Sequence, residues 1–399
     1  MDRRSLLDED VSPNAVARCC RLAADVLNLH AVTDGGPIVP DYGGPNLRGI
    51  IPALLGPTGD SMPGWIPAAA AEADTVVLLV LDGLGWDQFD VRRAHMPTLA
   101  GFQGGSIQSV APTTTAAALT SITTGLPPSE HGIVGYRFAF GSEVINGLRW
   151  TVGDTSVRRS HPPGEVQPFP PFLGHAVPVI SPAELHPSAF SEAHQRGGIP
   201  VGYRSPSSIA VEVAEQIARG EQLIYCYYGG IDKIAHERGF GPFYDAELRF
   251  SDAIVAEILA VLPAGAALLV TADHGQVDVG ERVLHPSDAL LDRVELQSGE
   301  GRFRWLHARP GAVDDLANAA ADEFGDVAWV ATREQVIDEG WLGPVMSAPV
   351  AGRLGDVALA ARAPVSFYEK ADSGPFELVC RHGSLTAAEV DVPLLAHAV

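Results

Sequence analysis

Acidic and imidazole side chains recur at the ends of the most apolar segments of this 399-residue chain. Asp82 follows the run from Thr75 to Leu81. Asp232 and His236 come a few residues after Leu223 to Tyr228, and Asp273 and His274 follow Ala266 to Thr271. His382 stands near the C-terminus, before Gly383. These are donor types that hard or borderline divalent ions take, and with one hydroxyl they would supply nearly all the positions of two four-coordinate sites. The i, i+4 spacing of Asp232 and His236 lets both face one ion if that segment is helical or tightly turned. Taken singly each residue is ordinary: an Asp after a strand is commonly a helix cap, and a His beside Gly is most often a loop residue. The repetition of the pattern at successive strand ends is what points to a metal centre.

A hydroxyl is offered by Pro112-Thr113-Thr114-Thr115. The preceding Ser106 to Val110 is strand-like, and Ala116, Leu119, Ile122 and Thr123 then fall at helical spacing. The threonines therefore sit at a strand-to-helix junction, with a Thr at the N-cap. Unpaired N–H groups at a helix start carry partial positive charge and suit a phosphate.

The elements that must hold these residues repeat as strand, polar tip and helix. That order is the pattern of a parallel sheet with crossover helices, in which ligands bind at the carboxyl ends of the strands. Thr75 to Leu81 is apolar without alternation, as expected of a strand covered on both faces. Helices are expected over Ala15 to Leu29, 87–103, Ser207 to Arg219 and Tyr244 to Val261. A Gly/Pro-rich stretch from Gly35 to Gly64 reads as ordered loop. Residues 136–200 read as an irregular insertion over the core, and 280–350 as a small α+β cap, after which the strand Asp356 to Ala361 returns to the core. The whole chain, 1–399, is read as a single catalytic domain.

Composition narrows the function. With 46% hydrophobic and 19% charged residues the chain can bury a large core. A net charge of −22 disfavours a nucleic-acid polymer as partner. It leaves a small phosphorylated substrate open, because metal ions supply local positive charge. The four cysteines, Cys19, Cys20, Cys226 and Cys380, show no Cys-x-x-Cys spacing and read as reduced thiols. No membrane span or signal core is evident, so a cytoplasmic location is expected.

In combination the motifs resemble the alkaline phosphatase superfamily and, within it, the type I phosphodiesterase/nucleotide pyrophosphatase branch. The resemblance rests on Leu81-Asp82-Gly83-Leu84-Gly85, Pro112-Thr113-Thr114-Thr115 and the segment from Thr124 to Ile133. It continues with Asp232-Lys233-Ile234-Ala235-His236 before Gly241-Pro242, with Thr271-Ala272-Asp273-His274-Gly275, and with Arg381-His382-Gly383. A Cys- or Ser-x-Pro-x-Arg sulfatase motif is absent. The resemblance implies a three-layer α/β/α fold with a mainly parallel central sheet. It implies two divalent ions, Zn²⁺ with Mn²⁺ as the alternative, about 4 Å apart. Asp82, Asp273, His274 and the Thr115 hydroxyl would hold one ion, and Asp232, His236 and His382 the other. Thr115 would be the nucleophile, with Thr114 its near competitor, forming a covalent phospho-threonine-type intermediate. The implied activity is hydrolysis of phosphodiester or pyrophosphate bonds in a nucleotide-like substrate. Alternatives on the same residues are a phosphomonoesterase, phosphonate hydrolase or phosphomutase, and, in a different class, an inactive metal-stabilised binding protein. Ala118 takes the place of an Asn usual in that branch, which leaves diester against monoester preference open. His131, Tyr225, Tyr227 and Tyr228 read as structural, with Tyr228 the one that could border the pocket. Lys233 and Arg381 are candidates to meet a substrate phosphate.

Overall fold

A computed structural model of the chain describes residues 35–56, 62–372 and 377–399. The helix expected over Ala15 to Leu29 lies outside these residues. Pro37–Val399 make up one unit; of the other, Met1–Gly36, only Gly35 and Gly36 are described.

Eleven strands build a main sheet and the sheet of a smaller lobe. In chain order they are β1 (Thr75–Leu81), β2 (Gln103–Gln108), β3 (Pro178–Pro182), β4 (Ile199–Tyr203), β5 (Leu223–Tyr228), β6 (Ala266–Thr271), β7 (Val294–Gly299), β8 (Phe303–Ala308), β9 (Ala328–Thr332), β10 (Val357–Ala361) and β11 (Asp391–Ala398). The main sheet has seven strands in the order β2-β11-β6-β1-β5-β3-β4. β1 pairs in parallel with β6 on one side and β5 on the other. β11 runs antiparallel between β6 and β2. The fold is thus α/β with a mostly parallel central sheet. Val77 to Leu81 are fully buried, the burial an uninterrupted apolar central strand requires. Parallel register then sets the tips of β1, β5 and β6 side by side, with Leu81 opposite Tyr228 and Val80 opposite Thr271.

Three helices lie at the site, the first two after strand ends and the third directly after the second. They are α1 (Thr115–Thr124), α2 (Gly230–Arg238) and α3 (Pro242–Val261). In α1 every residue after Thr115 is buried, which Ala116, Ala117 and Ala118 permit by bringing the helix close to its neighbours. Gly125, at φ 73°, ends it in the left-handed conformation.

Several sequence expectations are corrected. Residues 136–200 are not irregular throughout. Residues 137–156 carry a four-stranded antiparallel sheet, and β3 and β4 belong to the main sheet. Prolines at both ends of β3, where no ladder N–H is needed, hide a strand whose middle pairs with β5 at Val179 and Ile180. The strand at 357–361 is buried but does not join the main sheet. It is β10, between β8 and β9 in the antiparallel sheet β7-β8-β10-β9. The loop expected over Gly35 to Gly64 contains a turn of 3-10 helix and the helix Ile50–Leu55, and 87–103 holds short helical pieces in place of one helix.

The smaller lobe is pinned to the rest by a buried ion pair. Arg302, between β7 and β8, donates from Nε and Nη2 to the two carboxylate oxygens of Glu389 at 2.7 and 2.8 Å. Glu389 also accepts from the Ser384 N–H at 2.9 Å, two residues past His382.

Candidate active site

The six acid and imidazole residues reach one place because backbone contacts tie their loops together. The Asp82 N–H donates to Tyr228 O and the Asp232 N–H to Asp82 O, at 3.0 and 3.1 Å. Gly83, at φ +78°, makes this approach possible, since a Cβ there would lie 3.0 Å from the Asp232 Cα and Cβ. Thr113 clamps the C-terminal loop: its N–H donates to Gly383 O, its hydroxyl to Ser384 O, and its carbonyl accepts from His382 Nδ1 at 2.8 Å.

Ring orientation follows the same logic. His236 Nδ1 lies 2.7 Å from Cys380 O, and His274 Nδ1 lies 3.1 Å from Gly275 O. With His382, all three imidazoles place Nδ1–H on a backbone carbonyl and turn a lone pair on Nε2 inward, as metal-ligating histidines do. His274 Nε2 is 3.5 Å from Asp82 Oδ1, 3.4 Å from Asp273 Oδ2 and 3.1 Å from Thr115 Oγ1. Asp232 Oδ1 is 3.2 Å from His236 Nε2 and 3.8 Å from His382 Nε2. The His274 and His382 rings stack at 3.6 Å between centroids and join the two groups. α2 places Asp232 and His236 on one face. The tightest donor groups are Asp82-Asp273-His274 and Asp232-His274-His382, so His274 is within reach of both positions and His236 stands slightly apart.

Carboxylate oxygens at the centre of the cluster lack partners. Asp82 Oδ1 and Asp273 Oδ2 are buried and accept no hydrogen bond. Burial, with the Asp273 and Asp232 charges, pushes the Asp82 carboxyl well above the usual range. Burial also raises Asp273, against the pull of His274. Burial opposes ionisation of Asp232 as well, yet His236, His382 and His274 hold it below its ordinary value. Burial and His274 drive His382 far down. Buried carboxylate oxygens without partners beside imidazole Nε2 atoms are the donor types that divalent ions take.

Thr115 is the first residue of α1 and is partly exposed, whereas its competitor Thr114 is buried at the N-cap. The first intrahelical bond runs from the Ala118 N–H to Thr114 O at 2.9 Å, so the N–H groups of residues 115–117 precede the ladder. Ala118 is fully buried and offers nothing to a substrate.

Two cavities border Thr115 and Leu148. One, about 270 Å³, is lined by Asp232, His236 and His382 together with Tyr136, Glu300 and Arg381. The other, about 180 Å³, is lined by Leu119, Leu185, Phe190, His194, Gln195 and Tyr227. Glu300 Oε1 is buried without a partner, and burial pushes this carboxyl well above its ordinary range.

Sequence reasoning missed several of these residues. The Tyr227 hydroxyl donates to Asp82 Oδ2, so the tyrosine at the site is Tyr227, while Tyr228 donates to Glu247 at 2.6 Å. Strand alternation carried the available signal, since Tyr227 faces opposite to its neighbours. Gln276 donates to Asp232 Oδ1 at 2.8 Å and stands two residues past His274. Glu300 comes from the smaller lobe and has no sequence signal. Lys233 is exposed, whereas Arg381 lines the first cavity. His131 is structural: its Nε2 is 2.8 Å from Ser121 Oγ and its Nδ1 accepts the Ile133 N–H.

A mostly parallel central sheet whose strand tips gather such a cluster beside a helix-start threonine is an architecture of the alkaline phosphatase type. The family model described as type I phosphodiesterase/nucleotide pyrophosphatase matches residues 76–146 and 183–385, and the chain belongs to that family. Among solved structures, murine ectonucleotide pyrophosphatase/phosphodiesterase 5 is similar at 17% identity and a TM-score of 0.60, covering 81% of this chain and 88% of that one. An inactive variant of the murine protein in complex with AMP is similar at 16% identity and a TM-score of 0.60, with the same coverage. The human counterpart is similar at 17% identity and a TM-score of 0.59, covering 81% and 87%. These likenesses establish the fold. Among curated protein sequences none matches.

Proposed function

We propose that the protein hydrolyses phosphodiester or pyrophosphate bonds of nucleotide-like substrates through Thr115. The observation that carries this reading is the pair of unlike cavities on either side of the threonine. A diester or pyrophosphate has two substituents to place, and a monoester has one. The apolar cavity, with Leu119, Leu185 and Phe190, suits a nucleoside-like group. The AMP bound by the inactive murine relative is consistent with such a substrate.

Asp82, Asp273 and His274 would hold one divalent ion, and Asp232, His236 and His382 a second, with Zn²⁺ the best fit to mixed carboxylate and imidazole donors. When bound, such ions supply Lewis-acid neutralisation of charge on the entering, leaving and non-bridging oxygens. The chain's own groups do the rest. Thr115 Oγ forms a bond to phosphorus while the bond to the leaving oxygen breaks. The hydroxyl proton passes to solvent and the leaving group departs into the charged cavity. The N–H groups at the start of α1 meet the non-bridging oxygens. Water then cleaves the phospho-threonine ester and restores the hydroxyl. The Tyr227 hydroxyl and Gln276 fix the orientation of Asp82 and Asp232.

The test is hydrolysis of a nitrophenyl nucleoside phosphodiester beside nitrophenyl phosphate, with zinc-loaded protein. Faster turnover of the diester is expected. Equal or faster turnover of the monoester overturns the diester reading.

A further inference from the structure

We propose that Arg381 anchors the departing half of the substrate by binding a phosphate group on it. A pyrophosphate linkage would then be preferred over a diester whose leaving group carries no phosphate. The inference rests on the reading of Thr115 as nucleophile and deepens it.

In-line displacement sends the leaving group away from the entering hydroxyl. Thr115 Oγ1 lies 3.1 Å from His274 Nε2, beside Asp82 and Asp273, so Asp232, His236 and His382, which line the larger cavity, are the groups left to face the leaving oxygen. Arg381 lines it from a backbone held in place: its residue pairs with Val277 in a short ladder, and the neighbouring Cys380 carbonyl holds His236.

The guanidinium is left unpaired by its surroundings. Among the described residues no carboxylate lies within ion-pair distance of it, and its Nε is buried without an acceptor. Glu300 lines the same cavity but lies beyond ion-pair distance, and its Oε1 takes no hydrogen bond from Arg381; the other nearby acids are engaged elsewhere. Asp372 pairs with Arg304 and, at 2.8 Å, with Arg137, and Glu369 also pairs with Arg137. Space for the side chain comes from Gly301, where a Cβ would lie 2.9 Å from Arg381 Nη1 and 3.4 Å from its Cδ. Holding a guanidinium mostly out of water without a partner is costly, and a chain of net charge −22 has no shortage of carboxylates to offer it. An arginine kept free beside a phosphoryl-transfer centre matches an incoming phosphate, whose oxygens its planar donor fork can bind in pairs. The apolar cavity has no lysine, arginine or carboxylate in its lining. The charge is therefore placed on one side of Thr115 alone.

The experiment compares wild type, Arg381→Gln and Arg381→Lys on two substrates: a nucleoside triphosphate and a nitrophenyl ester of a nucleoside monophosphate. For Arg381→Gln, kcat/KM should fall about 10- to 100-fold on the triphosphate, the range of a charge-assisted contact, and only marginally on the nitrophenyl ester. Arg381→Lys should recover part of the loss. Inhibition by inorganic pyrophosphate should weaken in parallel, with zinc content unchanged. Equal loss on both substrates, or loss of zinc, would show that Arg381 only supports the adjacent His382 and would overturn the proposal. Unchanged triphosphate turnover would overturn it as well. If wild type cleaves neither substrate, the catalytic reading fails by itself. Calorimetry of inorganic pyrophosphate binding then decides the anchor: binding by wild type and not by Arg381→Gln supports it, and equal binding or none rejects it.

Discussion

The two sides of Thr115 are built from different parts of the molecule. The apolar side is made of main-sheet material: α1 gives Leu119, β5 gives Tyr227, and the segment after β3 gives Leu185, Phe190 and His194. The charged side is assembled from α2, the C-terminal loop with Arg381 and His382, and Glu300 and Gly301 of the smaller lobe. The metal-ligand types lie at strand tips whose register the core fixes, while the groups that face a leaving group depend on docking of the lobe. Chemistry and selection are thus separable in this fold, and mutations should separate them.

The largest effect belongs to the residue both sides share. Thr115→Ala should lower hydrolysis by about 10⁴-fold, the order found when a nucleophile is removed. Its melting temperature should match wild type, because a partly exposed side chain is truncated without opening the core. Activity within tenfold of wild type would mean that another group attacks phosphorus.

On the charged side the lobe's attachment should be vulnerable. Arg302→Met leaves Glu389 buried and uncompensated, so stability to denaturant should fall by about 3–5 kcal/mol. Activity of the folded fraction should also fall, since Glu389 braces Ser384 beside His382. A loss below about 1 kcal/mol would show that the pair does not hold the lobe.

The apolar side should respond in affinity. Phe190 stacks on His194 at 4.0 Å and lines the cavity, so Phe190→Ala should raise KM for a nucleoside-bearing diester about tenfold, with kcat little changed. A fall in kcat with constant KM would place that ring in the chemistry and remove the distinction between the two sides.

The last effect is one of pH. Burial holds His194 down to about 3, so it is neutral in the fold and titrates near 6.5 when unfolded. The unfolded state takes up the proton first, and stability contributed by neutral His194 is lost as pH falls from about 6.5 toward 3. His194→Gln should flatten the dependence of unfolding free energy on pH in that window by about one proton. An unchanged slope would mean that the ring is not buried neutral.

Legibility in the sequence followed the same division. β1, β5 and β6 were readable because central parallel strands must be apolar on both faces, and their polar tips then stand out. Asp82, Asp232, His236, Asp273, His274 and His382 were found as types at strand ends, and α2 turned the i, i+4 spacing of Asp232 and His236 into a shared face. β3 and β4 were not readable, because prolines and an edge position dilute the apolar pattern. Tyr227 reads as core because three tyrosines stand within four residues, and only strand alternation distinguishes the one that meets Asp82. Glu300 and Gly301 had no local signature. They come from the smaller lobe, whose sheet also holds β10, and the partners of such a strand are not legible from its own residues.

The most direct test of the central claim is anomalous scattering from crystals of the zinc-loaded protein. Two peaks are predicted, one among Asp82, Asp273 and His274 and one among Asp232, His236 and His382, both within reach of Thr115. No peak at these side chains, in protein that binds zinc elsewhere or not at all, would contradict the account.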